Sequence, residues 1–164
     1  MFAMGYEQAA DLVMKHIEAE GADNSIVYPL LLLARHTVEL ALKQDLHDAH
    51  RTLLMAGCSS SVSLERTWST HNLETLSADL EAALKPLMTL GGPWDEIRRF
   101  LVKWERADPD GNFARYGREV GGKPVKVKGN VSVQAIWPNA VLARDYLYGV
   151  GCELEEQRDA MSQI

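Results

Sequence analysis

Residues 28–43 read YPLLLLARHTVELALK, and this stretch decides the fold. It is apolar enough to form a core helix, yet Arg35, His36, Glu39 and Lys43 lie within the apolar run. Polar groups in a buried helix cost free energy unless other groups satisfy them. The stretch therefore indicates either a polar network that holds the structure together or a functional site.

The rest of the chain predicts a mainly α protein, an antiparallel helical bundle of about five helices. Helical spacing of apolar residues, together with capping signals, marks the segments 6–19, 24–50, 70–87, 93–106 and 138–158. The third segment is the clearest, because leucines recur in it every three or four residues and form one apolar stripe. These leucines are Leu73, Leu76, Leu80, Leu84 and Leu87.

The apolar period changes between the fourth and the last of these helices. Residues 125–128 and 131–133 alternate between valine and polar side chains, and Gly121-Gly122 precedes them. This pattern predicts a small β-hairpin inserted at about 113–135. Length and the lack of internal repeats predict one domain over residues 1–164.

Composition points to a soluble cytoplasmic protein that does not associate with membranes. Apolar residues make up 46% and charged residues 24% of the chain, which are ordinary globular values. The longest apolar run, 28–34, is too short to span a bilayer, and residues 1–10 show no secretory signal. Cys58 and Cys152 fit free thiols in a reducing compartment.

The net charge of −6 is unevenly distributed along the chain. Between residues 113 and 130 there are five cations and one carboxylate, a net charge of +4 that leaves −10 for the remainder. Such a basic segment is typical of a contact for phosphate or for an acidic partner. It is equally typical of solvated surface, or of a segment that docks on the acidic helices of its own chain.

One face of the second predicted helix is polar. His36, Glu39, Lys43, His47 and His50 follow one another at helical spacing, with Arg35 beside them. The face indicates either a surface turned to solvent or a polar seam between helices. The alternative is a phosphate- or nucleotide-binding face, on which Arg35 and Lys43 neutralise charge and His36 donates a hydrogen bond.

The same face raises a third alternative, a metal site. His47 and His50 lie three residues apart, and Asp45 or Asp48 would add an oxygen ligand. Two histidines without a fixed third ligand do not define such a site, so we predict neither a bound metal nor a cofactor.

Three segments together resemble the HEPN superfamily (higher eukaryotes and prokaryotes nucleotide-binding). Residues 28–43, with the pattern Arg-His-x-x-Glu-Leu-x-Leu-Lys, resemble the core helix of HEPN proteins. Residues 70–76, THNLETL, resemble the His-x-Leu-x-x-Leu start of the long helix that follows. Residues 113–117, FARYG, are similar to a Phe-x-x-Tyr-Pro-like hairpin of uncharacterised bacterial members, with Gly117 in place of the proline. The resemblance implies a small helical bundle, a homodimer and a role in nucleotide or RNA biology.

Active HEPN ribonucleases resemble one another in an arginine followed shortly by a histidine. Here Arg66 and His71 are separated by four residues, although Thr67 stands where Asn, Asp or His is usual. The resemblance implies that His71 moves a proton for attack by a ribose 2′-hydroxyl, while Arg66 stabilises charge on the phosphate. No metal would be needed, and the site would be assembled across a homodimer. Alternatively, His71 is a residue of the helix start that bonds across the bundle.

We therefore expect a non-catalytic HEPN-like module that binds RNA, nucleotide or a protein partner in a toxin–antitoxin or phage-defence system. The alternative function is a metal-independent endoribonuclease that acts as a homodimer through Arg66 and His71. The expected binding residues come from the polar face and the basic segment. They are Arg35, His36, Glu39, Lys43, Arg115, Arg118, Lys123, Lys126 and Lys128.

Overall fold

The structure, a computed structural model, describes residues 2–21, 24–111 and 133–163, and within these ranges the chain forms helices and no strand. The α-helices are α1 (Phe2–Glu20), α2 (Asn24–Met55), α3 (Leu64–Ser69), α4 (Leu73–Leu84), α5 (Trp94–Ala107) and α6 (Val133–Ser162). A short 3-10 helix, Pro109–Gly111, follows α5. The prediction of a mainly helical bundle is confirmed for these ranges.

Helix α2 is the centre of the bundle. A large core joins α2 to α4, α5 and α6, and a smaller core joins the start of α2 to α1 and to Val133. Because α2 packs against α1, α4 and α6, apolar residues are needed around most of its circumference. This requirement explains the run of leucines at residues 30–33.

Helices α2 and α6 run in the same direction, whereas α1 runs antiparallel to both. Val133, at the start of α6, packs in the small core with Leu30 near the start of α2. Towards the far end of the two helices, Arg158 of α6 pairs with Asp48 of α2. The bundle is therefore not uniformly antiparallel. Three helices, α3, α4 and α5, separate α2 from α6 in the chain, so the chain can return and run in the same direction again.

The leucine stripe predicted for the third helix is confirmed in α4, where Leu73, Leu76, Leu80 and Leu84 are fully buried. The sequence also offers Ser69 or Thr70 as the cap of this helix, and this prediction is wrong, because a short helix that the sequence pattern did not reveal, α3, occupies residues 64–69. The cap of α4 is Asn72, whose Oδ1 accepts a hydrogen bond from the Thr75 amide at 2.8 Å. Leu87 lies beyond the helix and is half-buried.

Helix α5 agrees with its prediction. Pro93 precedes its first residue, and Trp94, Ile97, Leu101 and Trp104 are buried in the large core. The indole rings of this helix therefore serve packing, as their spacing predicts.

The predicted hairpin is not supported. Residues 112–132 lie outside the described part of the chain, and residues 133–135, placed in the hairpin by the sequence pattern, are the first residues of α6. The helix thus begins five residues before Pro138, its predicted start. Val133 favours this earlier start because its side chain is buried in the small core. Pro138, which has no N–H to donate, is accommodated in the second turn of the helix.

Two smaller predictions can be compared with the described residues. Cys58 and Cys152 are both free thiols, as expected. Among the helices in the described ranges, none combines the length and the apolar content that crossing a bilayer requires.

Candidate functional site

The polar face of α2 is directed into the bundle. Arg35, Glu39 and Lys43 are only 2%, 1% and 3% exposed, and Glu105 of α5, also buried, joins them. We refer to these four residues as the buried polar layer. A face turned to solvent does not describe these three α2 residues, and their burial favours the polar seam between helices.

The first half of the layer is an ion pair between α2 and α5. Arg35 Nη2 donates to Glu105 Oε2 at 2.7 Å and to the backbone oxygen of His71 at 3.1 Å. The same Glu105 oxygen accepts the backbone amide of Leu73 at 2.8 Å. A carboxylate placed at this point satisfies one of the free N–H groups at the start of α4 and matches its helix dipole. The pair therefore fixes α2, α4 and α5 relative to one another.

Gly111 lies directly against the Arg35 side chain. Its φ is +68°, a conformation that residues with a Cβ rarely adopt. A Cβ at this position would lie 2.7 Å from Arg35 Nε and 3.0 Å from its Cδ. The 3-10 helix after α5 can therefore cover the arginine only because residue 111 is glycine.

The second half of the layer connects Glu39, Lys43 and His71. Glu39 Oε1 accepts Lys43 Nζ at 2.8 Å and lies 2.8 Å from His71 Nδ1. Lys43 Nζ also donates to the backbone oxygen of Trp68 at 3.4 Å. Burial raises the pKa of Glu39, but the hydrogen bonds and charges of Lys43 and His71 outweigh it and bring the pKa below its ordinary value. The carboxylate is therefore ionised at neutral pH.

This arrangement determines what His71 can do chemically. An ionised carboxylate only accepts hydrogen bonds, so His71 Nδ1 carries the proton in its bond to Glu39. In the neutral ring, Nε2 is then the acceptor. The His71 side chain is 41% exposed, so the imidazole is held from inside the bundle and remains accessible to solvent. A histidine oriented in this way can accept a proton or a hydrogen bond from a ligand.

Arg66 lies on the surface, apart from the layer. Its side chain is 64% exposed and its Nη2 lies 3.6 Å from Asp79 Oδ2. The residue lines a small cavity of about 70 Å³ together with Ser61, Ser63 and Asp79, and His71 is not among the described residues of this cavity. Arg66 and His71 are thus both accessible, but the described lining of this cavity includes only Arg66.

His36 of α2 contacts the first helix. Its ring is half-buried and meets the Tyr6 ring of α1 edge-on, with the two centroids 4.3 Å apart. This contact therefore joins α1 to α2.

The remaining histidines of α2 have separate partners. His47 Nδ1 lies 3.9 Å from Asp48 Oδ1, and His50 Nδ1 lies 2.9 Å from the Ser60 hydroxyl. In the ranges 2–21, 24–111 and 133–163, no group of three or more His, Cys, Asp or Glu side chains is placed to hold a metal ion. The proposed basic contacts Arg115, Arg118, Lys123, Lys126 and Lys128 lie outside these ranges.

The sequence pattern did not reveal a second polar cluster, which lies between α2 and α6. Asp48 pairs with Arg158 at 3.4 Å and accepts Gln44 Nε2 at 2.9 Å, while Asp45 is buried beside it. Burial, and then repulsion from Asp48, raise the pKa of Asp45 well above its ordinary value. A Cβ on Gly151 would lie 3.1 Å from Asp45 Oδ1, so glycine allows α6 to approach α2 closely.

Glu105 was also missed, although the sequence contains a signal for it. It follows Leu101 by four residues and therefore lies beside the apolar stripe of α5. A carboxylate at that position needs a buried partner.

No family model, no curated protein and no solved structure matches the chain.

Proposed function

We propose that this chain is a non-catalytic HEPN-like module that binds RNA, in a toxin–antitoxin or phage-defence system. One observation carries the proposal: the polar face of α2 is not available to a ligand, because Arg35, Glu39 and Lys43 are buried in ion pairs within the bundle. Side chains held in this way stabilise one arrangement of helices and offer no charge to a ligand. Among the described residues, His71 does not line the small cavity that Arg66 lines, which supports a non-catalytic role.

The RNA contact in this proposal is the basic segment 113–130. Its net charge of +4 belongs to a chain that is otherwise acidic, so phosphate would be attracted to that segment and repelled elsewhere. Binding driven by such contacts weakens steeply with salt, because each neutralised phosphate releases counterions. A nucleotide or a protein partner at the same segment would show a weaker salt dependence.

The proposal is tested by anisotropy titrations of a labelled single-stranded RNA at several salt concentrations. For single strands the slope of log affinity against log salt changes by about 0.7 per lost phosphate contact. The double variant Lys126→Ala/Lys128→Ala should therefore reduce the slope by about 1.4. The matched control is Lys85→Ala/Arg106→Ala, which removes two exposed cations elsewhere and should leave the slope unchanged. Equal slopes for the two double variants, or no RNA binding by the wild type, would contradict the proposal.

A second candidate function is favoured by one specific contact, the bond between Glu39 and His71. Buried Glu39 orients the ring and leaves Nε2 as an acceptor at the surface, which is the geometry of a general base. In this candidate, His71 takes the proton of a ribose 2′-hydroxyl, and the 2′-oxygen attacks the adjacent phosphate. The 5′-oxygen then leaves and takes up a proton. Arg66 of one protomer of a homodimer stabilises the charge on the phosphate.

This endoribonuclease candidate predicts cleavage of single-stranded RNA in the presence of EDTA by a dimeric protein. Loss of a general base costs about 10²- to 10⁴-fold in rate, so His71→Ala should abolish measurable cleavage, as should Arg66→Ala. His16→Ala, which removes an exposed histidine of α1, is the control for contaminating nuclease and for purification. If the wild type does not cleave RNA as a dimer, this candidate is discarded and the binding module remains.

A further inference from the structure

A groove lies between α5 and the first two turns of α6, on a surface that the buried polar layer does not use. Its volume is about 520 Å³. It is lined by Arg99, Phe100, Lys103 and Trp104 of α5 and by Ile136 and Asn139 of α6. Small-molecule sites in proteins usually measure about 300 to 1,000 Å³, so the groove is large enough for one such ligand.

The floor of the groove is aromatic. Phe100 and Trp104 lie four residues apart, on the edge of α5 that borders its buried stripe, with ring centroids 5.1 Å apart and planes inclined by 45°. Trp104 is buried, Phe100 is half-buried, and Ile136 faces them from α6. Such a floor favours a flat apolar group, which would remove the exposed part of these side chains from water.

One rim of the groove is cationic. Arg99 and Lys103 are exposed and lie one helical turn apart, directly beside the aromatic pair. Arg99 Nε donates to the Asp95 backbone oxygen at 3.1 Å, but neither side chain forms an ion pair with a carboxylate in the described ranges. Glu96 is the one carboxylate among the described lining residues, so the two cations leave the rim with a positive charge. The chain as a whole has a net charge of −6. Two cations this close together match a doubly charged anion such as a phosphate monoester.

We propose that this groove binds an aromatic phosphate monoester, whose ring packs on Phe100 and Trp104 while its phosphate pairs with Arg99 and Lys103. Free nucleotides and other aryl phosphates share this chemistry. The residues that carry this proposal belong to α5 and α6, and the proposal makes no use of RNA binding by the basic segment.

Isothermal titration calorimetry on the full chain tests the proposal with four probes. Adenosine 5′-monophosphate and phenyl phosphate contain both a ring and a phosphate, adenosine contains only the ring system, and inorganic phosphate contains only the charge. We expect the two monoesters to bind at least tenfold more tightly than adenosine or inorganic phosphate. Tighter binding of adenosine 5′-monophosphate would identify nucleotides as the source of the ligand, whereas equal binding would indicate aryl phosphates in general.

Three variants, each checked for intact helicity by circular dichroism, locate the binding. Arg99→Ala/Lys103→Ala should weaken binding of both monoesters by about tenfold or more, since each charge-assisted contact contributes to affinity. Phe100→Leu keeps an apolar side chain but removes the ring, and it should weaken the monoesters severalfold. Arg106→Ala removes an exposed cation of the same helix outside the groove and should have no effect.

The proposal is overturned if the wild type binds neither monoester at millimolar concentration, or if inorganic phosphate binds as tightly as they do. It is also overturned if Arg99→Ala/Lys103→Ala binds as tightly as Arg106→Ala. Failure of the RNA proposal is distinguishable from these results, because Lys126→Ala/Lys128→Ala should keep the affinity for both monoesters.

Discussion

Replacing Glu105 by alanine tests whether the buried polar layer stabilises the bundle. Arg35 is 2% exposed and its Nη2 lies 2.7 Å from Glu105 Oε2, so the substitution leaves a buried guanidinium without this carboxylate. It also removes the acceptor of the Leu73 amide at the start of α4. Both losses are unfavourable for the folded state and absent from the unfolded chain.

The expected magnitude follows from the burial of the pair. Removing one partner of a buried ion pair costs about 3–5 kcal/mol, because the remaining charge cannot recover its hydration. For a chain of this length each kcal/mol lowers the melting temperature by about 2–4 °C, so Glu105→Ala should lower it by about 6–20 °C. A buried pair can also be replaced by apolar residues of similar size at little cost. The double variant Arg35→Met/Glu105→Leu should therefore be more stable than Glu105→Ala alone.

Urea denaturation followed by circular dichroism measures these free energies of unfolding. The matched control is Glu81→Ala, which breaks a surface ion pair with Arg98 of nearly the same length, 2.8 Å. Exposed pairs contribute about 0–1 kcal/mol, so this variant should remain close to the wild type. The reasoning is refuted if Glu105→Ala lowers the free energy of unfolding no more than Glu81→Ala does. It is also refuted if the separate effects of Arg35→Met and Glu105→Leu on that free energy simply add in the double variant.

Two further predictions concern the glycines and the acids of the bundle. Gly111→Ala should destabilise the protein by about 1–3 kcal/mol more than Gly57→Ala. Both glycines have positive φ, but only at residue 111 would the new Cβ meet a side chain, that of Arg35; equal free energies of unfolding would contradict this. The second prediction follows from the raised pKa of Asp45. Because the folded state holds that proton more tightly than the unfolded state, the contribution of Asp45 to stability is present at low pH and is lost as pH rises through the folded pKa. The urea midpoint of the wild type should therefore fall, relative to that of Asp45→Asn, as pH increases from about 4. Parallel pH profiles of the two proteins would show that Asp45 is not perturbed.

Several elements of the fold were predictable because their signals are local. The leucine stripe of α4 and the buried face of α5 repeat at helical spacing, and both are observed. Element ends were less predictable. Asn72, Ser69 and Thr70 can all cap a helix, and the choice between them depended on α3, whose six residues are too short to show a period. At α6, the burial of Val133 extended the helix to a position where alternating valines favoured a strand.

The candidate site was predictable only in part. The sequence identified Arg35, Glu39, Lys43 and His71 as polar residues in or beside apolar helices. It did not identify the partner of Arg35, because that partner is 70 residues away and charge along the chain carries no information about such a pairing. The aromatic floor and the cationic rim of the groove were visible as residues of α5. Of the residues that face them from α6, Asn139 was predicted to be helical, whereas Ile136 lay between the predicted hairpin and the predicted last helix.

The sequence by itself determined that this protein is a bundle of amphipathic helices with several polar residues inside one strongly apolar helix, because helical periodicity depends on neighbours three and four residues apart. Only the tertiary structure decided the environment of each polar residue. Burial and pairing depend on which helices meet, and this is why Arg35, Glu39 and Lys43 are inside the bundle while His71, bonded to the same layer, reaches its surface.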